Sequence, residues 1–341
     1  MDIKEAISTV VSGKSLSIAD ASAVMNTIMD GEATPSQLGA FLTGLHLKGE
    51  TPPEIAGMAN VMREKALNVH VSEDVADTCG TGGDGKNTFN ISTAAAFVAA
   101  SCGIPVAKHG NRAASGSCGS ADVLEALGVK IDLEPEAVEK CITEVGMGFM
   151  FAPVFHPSMK YAGPVRREIG IPTVFNILGP LTNPAKAQYQ LLGVGRLELG
   201  QSMADVLALL GINHALVVHG EDGIDELTLS GNTTIWEVKS GVVESWSLKI
   251  SDTSLPHTPL DSITGGTADE NANKMRAIFN GESGPITNVI ALNSGAVLYA
   301  ANRVETIREG IEMAVEQINN GSALRKVDEL VNLSQELGNT N

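Results

Sequence analysis

Apolar residues recur at three- and four-residue intervals through the first 70 positions of the chain. Ile3, Ala6, Ile7, Val10 and Val11 fall on one helical face, which closes at Gly13. Ala21, Val24, Met25, Ile28 and Met29 form a second stripe, and Leu38, Phe41, Leu42 and Leu45 a third. Thr34-Pro35-Ser36-Gln37 and Thr51-Pro52-Pro53-Glu54 each place a Thr ahead of Pro with an acceptor three residues on, so each predicts a capping box with Pro in the first turn. A small helical domain is expected over residues 1–70, with a helical contribution from about 157–185.

From position 75 the period changes. Short apolar runs at 75–78, 104–108, 149–152, 189–194 and 215–219 alternate with helical stretches such as 93–100 and are joined by glycine-rich turns. That alternation predicts an α/β domain over 71–341, with a mostly parallel central sheet flanked by helices. Ile235, Val238, Val242, Val243 and Trp246 alternate with polar neighbours across 233–248, which predicts an antiparallel hairpin at the sheet edge. Helical periodicity returns at 273–279 and 307–318.

Composition narrows the class. Hydrophobic residues make up 43% and charged residues 18% of 341 positions, and no apolar run approaches the roughly 20 residues that a membrane-spanning helix requires. The N-terminus lacks the basic-then-apolar layout of a secretory signal. Cys79, Cys102, Cys118 and Cys141 stand far apart without a CxxC pair, so neither a zinc site nor a disulfide framework is expected, and a cytoplasmic setting fits. Lys and Arg number 23 against 40 Asp and Glu, a net charge of −17 that repels nucleic acid. A small anionic ligand is still compatible, because local cations, backbone N–H groups and a metal ion outweigh a net charge that salt screens beyond about 8 Å.

Four stretches carry the chemistry. Asp77-Thr78-Cys79-Gly80-Thr81-Gly82-Gly83-Asp84 follows a predicted strand and runs through Asn90-Ile91-Ser92-Thr93 into an Ala-rich helix. Glycines let backbone N–H groups close on a phosphate, while the Asn-Ile-Ser-Thr run is expected to cap a helix whose positive end faces the anion. The stretch matches neither GxxxxGK[ST] nor GxGxxG. A second loop, from Lys108-His109-Gly110-Asn111-Arg112 to Ser120, also lies between strand and helix, so the two should open on the same side of a parallel sheet and face one ligand with several phosphates. His109 could serve there as ligand, base or packing residue. In the third stretch, Gly163-Pro164-Val165-Arg166-Arg167-Glu168, adjacent arginines diverge on a helix, so at most one faces the cleft, where it could clamp a carboxylate; Arg167 reads as solvated. The fourth, Asp222-Gly223-Ile224-Asp225-Glu226, puts acids at a turn past a strand, as hard oxygen donors suited to Mg²⁺ or as a solvated turn.

GTGGD at 80–84, KHGNR at 108–112, GPVRRE at 163–168, NILGPLTNP at 176–184 and Asp225-Glu226, in this order and spacing, resemble the anthranilate phosphoribosyltransferase family, whose fold is shared with the pyrimidine nucleoside phosphorylases. The resemblance covers nearly the whole chain, and the Lys-Ser phosphate motif of the phosphorylases is missing. It implies transfer of the 5-phosphoribosyl group of phosphoribosyl pyrophosphate to the amine of anthranilate, giving N-(5-phosphoribosyl)anthranilate and pyrophosphate, the second step of tryptophan biosynthesis. It further implies that Gly80, Gly83, Asp84, Thr88, Asn90, Ile91, Ser92 and Thr93 bind phosphoribosyl pyrophosphate, together with Lys108, His109, Gly110, Asn111, Arg112, Ala113, Ala114, Ser115, Gly116 and Ser120. Gly80, Asn111 and Arg166 would meet anthranilate; Ser92, Asp225 and Glu226 would serve Mg²⁺; Lys108, Asn111 and Arg166 would be the catalytic set. A homodimer through the helical domain is implied as well, with neither nucleic acid nor membrane as partner. One departure from the family pattern stands at Gly116-Ser117, where another Ser and a basic residue are usual.

Overall fold

In the computed structural model, residues 1–113 and 118–339 are described. The expected N-terminal helices form as α1 (Ile3–Val11), α2 (Ile18–Met29), α3 (Pro35–Lys48) and α4 (Pro52–Lys65). Thr34 caps α3 as the sequence predicts, accepting from the Gln37 amide at 3.3 Å while the Gln37 side chain reaches back to the Thr34 amide at 3.0 Å. At α4 only half of the expected box forms. Glu54 takes the Thr51 amide at 2.8 Å, but the Thr51 hydroxyl also donates to Glu54 at 2.8 Å instead of accepting from the helix. The reason is burial: Glu54 is inaccessible to water and gathers Lys48 Nζ at 2.8 Å and the Leu16 amide at 2.9 Å as further donors.

The rest alternates as strand and helix: β1 (Ala76–Gly80), α5 (Ile91–Ser101), β2 (Val106–Gly110), α6 (Ser120–Leu127), α7 (Pro135–Val145) and β3 (Met147–Phe151). There follow α8 (Ala152–Phe155), α9 (Met159–Ile169), α10 (Phe175–Leu178), β4 (Tyr189–Gly193), α11 (Leu199–Leu209) and β5 (His214–Gly220). The hairpin β6 (Thr233–Lys239) and β7 (Val242–Leu248) precedes α12 (Ala268–Phe279), α13 (Pro285–Ala300), α14 (Ile307–Asn319) and α15 (Ser322–Gly338). The strands make one sheet of order β3-β2-β1-β4-β5-β6-β7. Pairing is parallel from β3 to β5 and antiparallel at the β5–β6 and β6–β7 edge, as the two periodicities predict.

Both faces of the sheet are buried from β3 to β6, while the edge strand β7 is largely exposed. On one side Ala76, Val106, Leu191, Leu216 and Val218 pack against α5 and α13, and α12 and α14 join the same core behind them. On the other Leu192, Val194, Ala215 and Val217 join a core that runs through α11 into α2, α3 and α4. Helix α9, carrying Ala162 and Val165, belongs to this second core and packs on α2 and α3. Among the described residues no helix is long and apolar enough to cross a membrane.

Candidate active site

Strand order reverses between β1 and β4, so a crevice opens past their carboxyl ends. The segment carrying Asp225 crosses that crevice at van der Waals distance. A Cβ on Gly193 would stand 1.5 Å from the Asp225 carbonyl oxygen, and one on Gly80 would stand 2.3 Å from Asp225 Oδ2. Glycine alone leaves that room. Past β1 the chain turns through Gly82 and Gly83 at φ of 64° and 77°, and the Gly82 amide donates to Asp225 Oδ2 at 2.8 Å.

Three acids converge there. Burial and then the Asp84 carboxylate push the Asp225 carboxyl up to about 6, against the pull of the Gly82 amide. Burial and then Asp225 drive Glu226 well above the usual range, with Lys108 and the Ser92 backbone amide acting the other way. Asp84 Oδ2 is buried without a hydrogen-bond partner. Like charges so placed call for a cation. Among the described residues no cluster of three or more His, Cys, Asp or Glu side chains forms a self-sufficient metal cage. The donor set therefore fits a hard divalent ion that completes its shell with water and phosphate oxygens, which is how Mg²⁺ is usually held.

The second loop meets the first. Lys108 is buried beneath both, donating to the Thr78 carbonyl, to Thr78 Oγ1 at 3.3 Å and to Ser92 Oγ at 3.4 Å. Burial lowers its pKa, while Asp77, Cys79 and Glu226 oppose that shift. Arg112 stays at the surface, with its guanidinium on Asp122 at 3.0 Å and on Glu125 at 2.8 and 3.1 Å. Its charge is thus already matched within the protein. Asn111 is exposed and Ser120 Oγ donates to its carbonyl at 3.3 Å. The expected side-chain cap on α5 does not form: Asn90 occupies the N-cap position, but its amide turns away, to Cys118 and Asn271. Thr93 Oγ1 in the first turn is buried and unpartnered. The Thr88 backbone bridges to Thr264. Ala114, Ser115 and Gly116 lie outside the described residues.

Past β3 a second wall rises. Arg166 on α9 is half-buried, its guanidinium 5.3 Å from the centre of the Phe175 ring, and no carboxylate among the described residues pairs with it. Arg167 is exposed, as expected of the adjacent position. His109 and His156 are buried with ring centres 5.0 Å apart, and Nε2 of each lacks a hydrogen-bond partner. Burial lowers His109 to about 3, with His156 adding to the shift, and lowers His156 to about 4.

Residues 72–324 match the glycosyl transferase family a/b domain, and residues 4–66 match the helical bundle domain of the same family. The anthranilate phosphoribosyltransferase of Dehalococcoides mccartyi is 56% identical over 337 residues, 98% of this chain and 99% of that protein. That of Chloroflexus aurantiacus is 54% identical over the same span, again 98% and 99% of the two chains. The chain belongs to the anthranilate phosphoribosyltransferase family. Among solved structures, the anthranilate phosphoribosyltransferase of Thermus thermophilus superposes with a TM-score of 0.92 at 44% identity, covering 97% of this chain and 99% of that one. The Saccharomyces cerevisiae enzyme in complex with PRPP and Mg gives 0.90 at 28% identity, covering 98% of each.

Within this anthranilate phosphoribosyltransferase fold, several residues at the site escape a reading by motif. Asp77 is buried between β1 and β2, accepting from the His109 amide at 3.2 Å and from Asn183 Nδ2 at 2.8 Å, and Asn183 also donates to the Ala107 carbonyl at 2.8 Å. Asp77 leads the first motif and Asn183 sits inside NILGPLTNP, so both were visible in sequence without a role. Asn271 carried no signal at all, because a single Asn in an exposed-looking helix start is unremarkable.

Proposed function

We propose that this chain transfers the 5-phosphoribosyl group of phosphoribosyl pyrophosphate to the amine of anthranilate, releasing pyrophosphate. The observation that carries this reading is the convergence of the Gly82 loop, Ser92, Lys108, Asp84, Asp225 and Glu226 at the crevice where strand order reverses. Backbone amides, hydroxyls and a carboxylate cluster in need of a cation are what a metal-bound diphosphate requires.

Ser92, Asp225 and Glu226 would hold Mg²⁺, with Asp84 beside them, and the ion would supply charge neutralisation to the departing pyrophosphate. The chain's own groups do the rest. Amides of the first loop and the N-terminal end of α5 receive phosphate oxygens, with Thr88, Thr93 and Ser120 as hydroxyl donors. Lys108 holds Thr78 and Ser92 in register beneath the ligand and offsets the charge of Glu226. The C1–O bond to pyrophosphate breaks as the amine nitrogen bonds to C1, and the nitrogen then loses a proton. An aromatic amine is neutral at pH 7, so its placement matters more than a base. Arg166, a half-buried cation without a carboxylate of its own, suits the carboxylate of anthranilate, with Asn111 beside the loop as second donor.

Purified protein with anthranilate, phosphoribosyl pyrophosphate and Mg²⁺ should extinguish anthranilate fluorescence. Persistence of that fluorescence under saturating substrates overturns the reading.

We also propose a homodimer through the helical layer, in a reducing cytoplasm. Val11 on α1 and Leu47 on α3 are 68% and 80% exposed, large apolar side chains that a partner would cover, and all four cysteines are free thiols. Sedimentation at the monomer mass would refute the dimer.

A further inference from the structure

We propose that Asn271, in the first turn of α12, is a positioning residue for phosphoribosyl pyrophosphate that acts through Asn90. The proposal rests on the functional reading above. Three hydrogen bonds run in series. The Gly266 amide donates to Asn271 Oδ1 at 2.7 Å, Asn271 Nδ2 donates to Asn90 Oδ1 at 2.8 Å, and Asn90 Nδ2 donates to the Cys118 carbonyl at 3.1 Å.

The direction of this relay is fixed at both ends. A backbone N–H can only donate and a carbonyl can only accept, so Gly266 dictates which way the Asn271 amide faces and Cys118 dictates the same for Asn90. The Cys118 thiol, 3.3 Å from Asn90 Oδ1, adds a second donor on the same side. Asn90 is thus a hinge pin between the first loop, of which it is the last residue, and the start of α6 behind the second. The strap that precedes α12 braces the same loop: Gly265 N–H donates to the Asn87 carbonyl at 2.9 Å and Phe89 N–H to the Ile263 carbonyl at 2.9 Å. A Cβ on Gly265 would come within 2.8 Å of the Thr88 carbonyl, so strap and loop are in direct contact.

Asn271 is 3% exposed and lies 181 positions from Asn90. Its amide is buried, with Oδ1 held by Gly266 and Nδ2 donating to Asn90, so its loss is felt by Asn90 and not by solvent. With its Oδ1 and one Nδ2 hydrogen committed, Asn90 has one amide hydrogen without an acceptor among the described residues. The relay sets where that hydrogen points, two residues ahead of Ser92. Asn90 reaches the ligand, and Asn271 aims it.

The test uses Asn271→Asp, which keeps the shape and the acceptor for Gly266 but turns a second oxygen toward Asn90 Oδ1. That repulsion should reverse the Asn90 amide and detach it from Cys118. The KM for phosphoribosyl pyrophosphate should rise about tenfold while that for anthranilate stays within about twofold. Asn90→Ala should behave alike, and the double variant should be no worse than Asn90→Ala alone, because both act through one group. Thr267→Ala is the control for mere destabilisation. It removes the cap in which Thr267 Oγ1 accepts from the Glu270 amide at 3.3 Å, and should lower the melting temperature without moving this KM.

An unchanged KM in Asn271→Asp, or losses that multiply in the double variant, overturns the proposal. If the wild-type protein does not consume anthranilate, the functional reading fails by itself. Calorimetric titration with phosphoribosyl pyrophosphate and Mg²⁺ then decides the relay: about tenfold weaker binding in Asn271→Asp supports it, and equal binding or none in the wild type overturns it.

Discussion

The Gly82 amide and the Asp225 carboxylate, 143 positions apart in the chain, meet at 2.8 Å across the mouth of the crevice. The first loop therefore orients the acid before any cation is bound, while burial and Asp84 keep its charge in demand of one. Asp225→Asn with Glu226→Gln keeps both shapes and removes both charges. Turnover should fall by about 100-fold or more and lose its dependence on Mg²⁺ concentration, with the fold intact by circular dichroism. Retained Mg²⁺-dependent turnover would remove these acids from the metal site.

Gly193 faces the backbone of Asp225 with no space for a methyl group, since the offending atom is a carbonyl oxygen and not a movable side chain. Gly193→Ala should cost about 1–3 kcal/mol in denaturant unfolding and should weaken Mg²⁺ dependence, because the Asp225 segment must lift. Wild-type stability in this variant would show that the segment yields freely.

Arg166 is the half-buried cation on the second wall, and burial lowers its pKa. Arg166→Ala should raise the anthranilate KM by about 10- to 100-fold, the worth of a charge-assisted hydrogen bond, and leave that for phosphoribosyl pyrophosphate near its wild-type value. An effect confined to phosphoribosyl pyrophosphate would reassign the residue.

His109 and His156 titrate near 3 and 4 in the folded protein, because burial penalises the charged imidazole, whereas an unfolded His titrates near 6.5. The unfolded state thus takes up protons first, and stability falls as pH drops from about 6.5 toward 4. His156→Asn removes one of these groups, so its melting temperature should decline less steeply over that window than that of the wild type. Parallel curves would mean that His156 is already charged when folded.

Helix and strand segments were legible because burial imposes its own period: a stripe every three to four residues for a helix packed on one side, and short apolar runs for strands covered on both faces. The change of pattern near position 75 and the alternation over 233–248 are local signals, and β1 and the β6–β7 hairpin follow from them. Strand order is not local. Nothing between residues 76 and 80 tells that β4, more than 100 positions later, will lie beside β1.

The same division runs through the site. The sequence by itself determined the two glycine-rich loops, the acid pair and the arginine pair, because close backbone approach to a phosphate and coordination by hard oxygens each demand particular residue types in short stretches. Tertiary structure alone decided how their charges are spent. It buried Lys108 beneath the loops, matched Arg112 to Asp122 and Glu125, left Arg166 without a carboxylate, and turned Asn90 from the helix cap to Asn271. Those outcomes depend on which distant groups arrive at hydrogen-bonding distance, and such distances exist only once the sheet has brought its strand ends together.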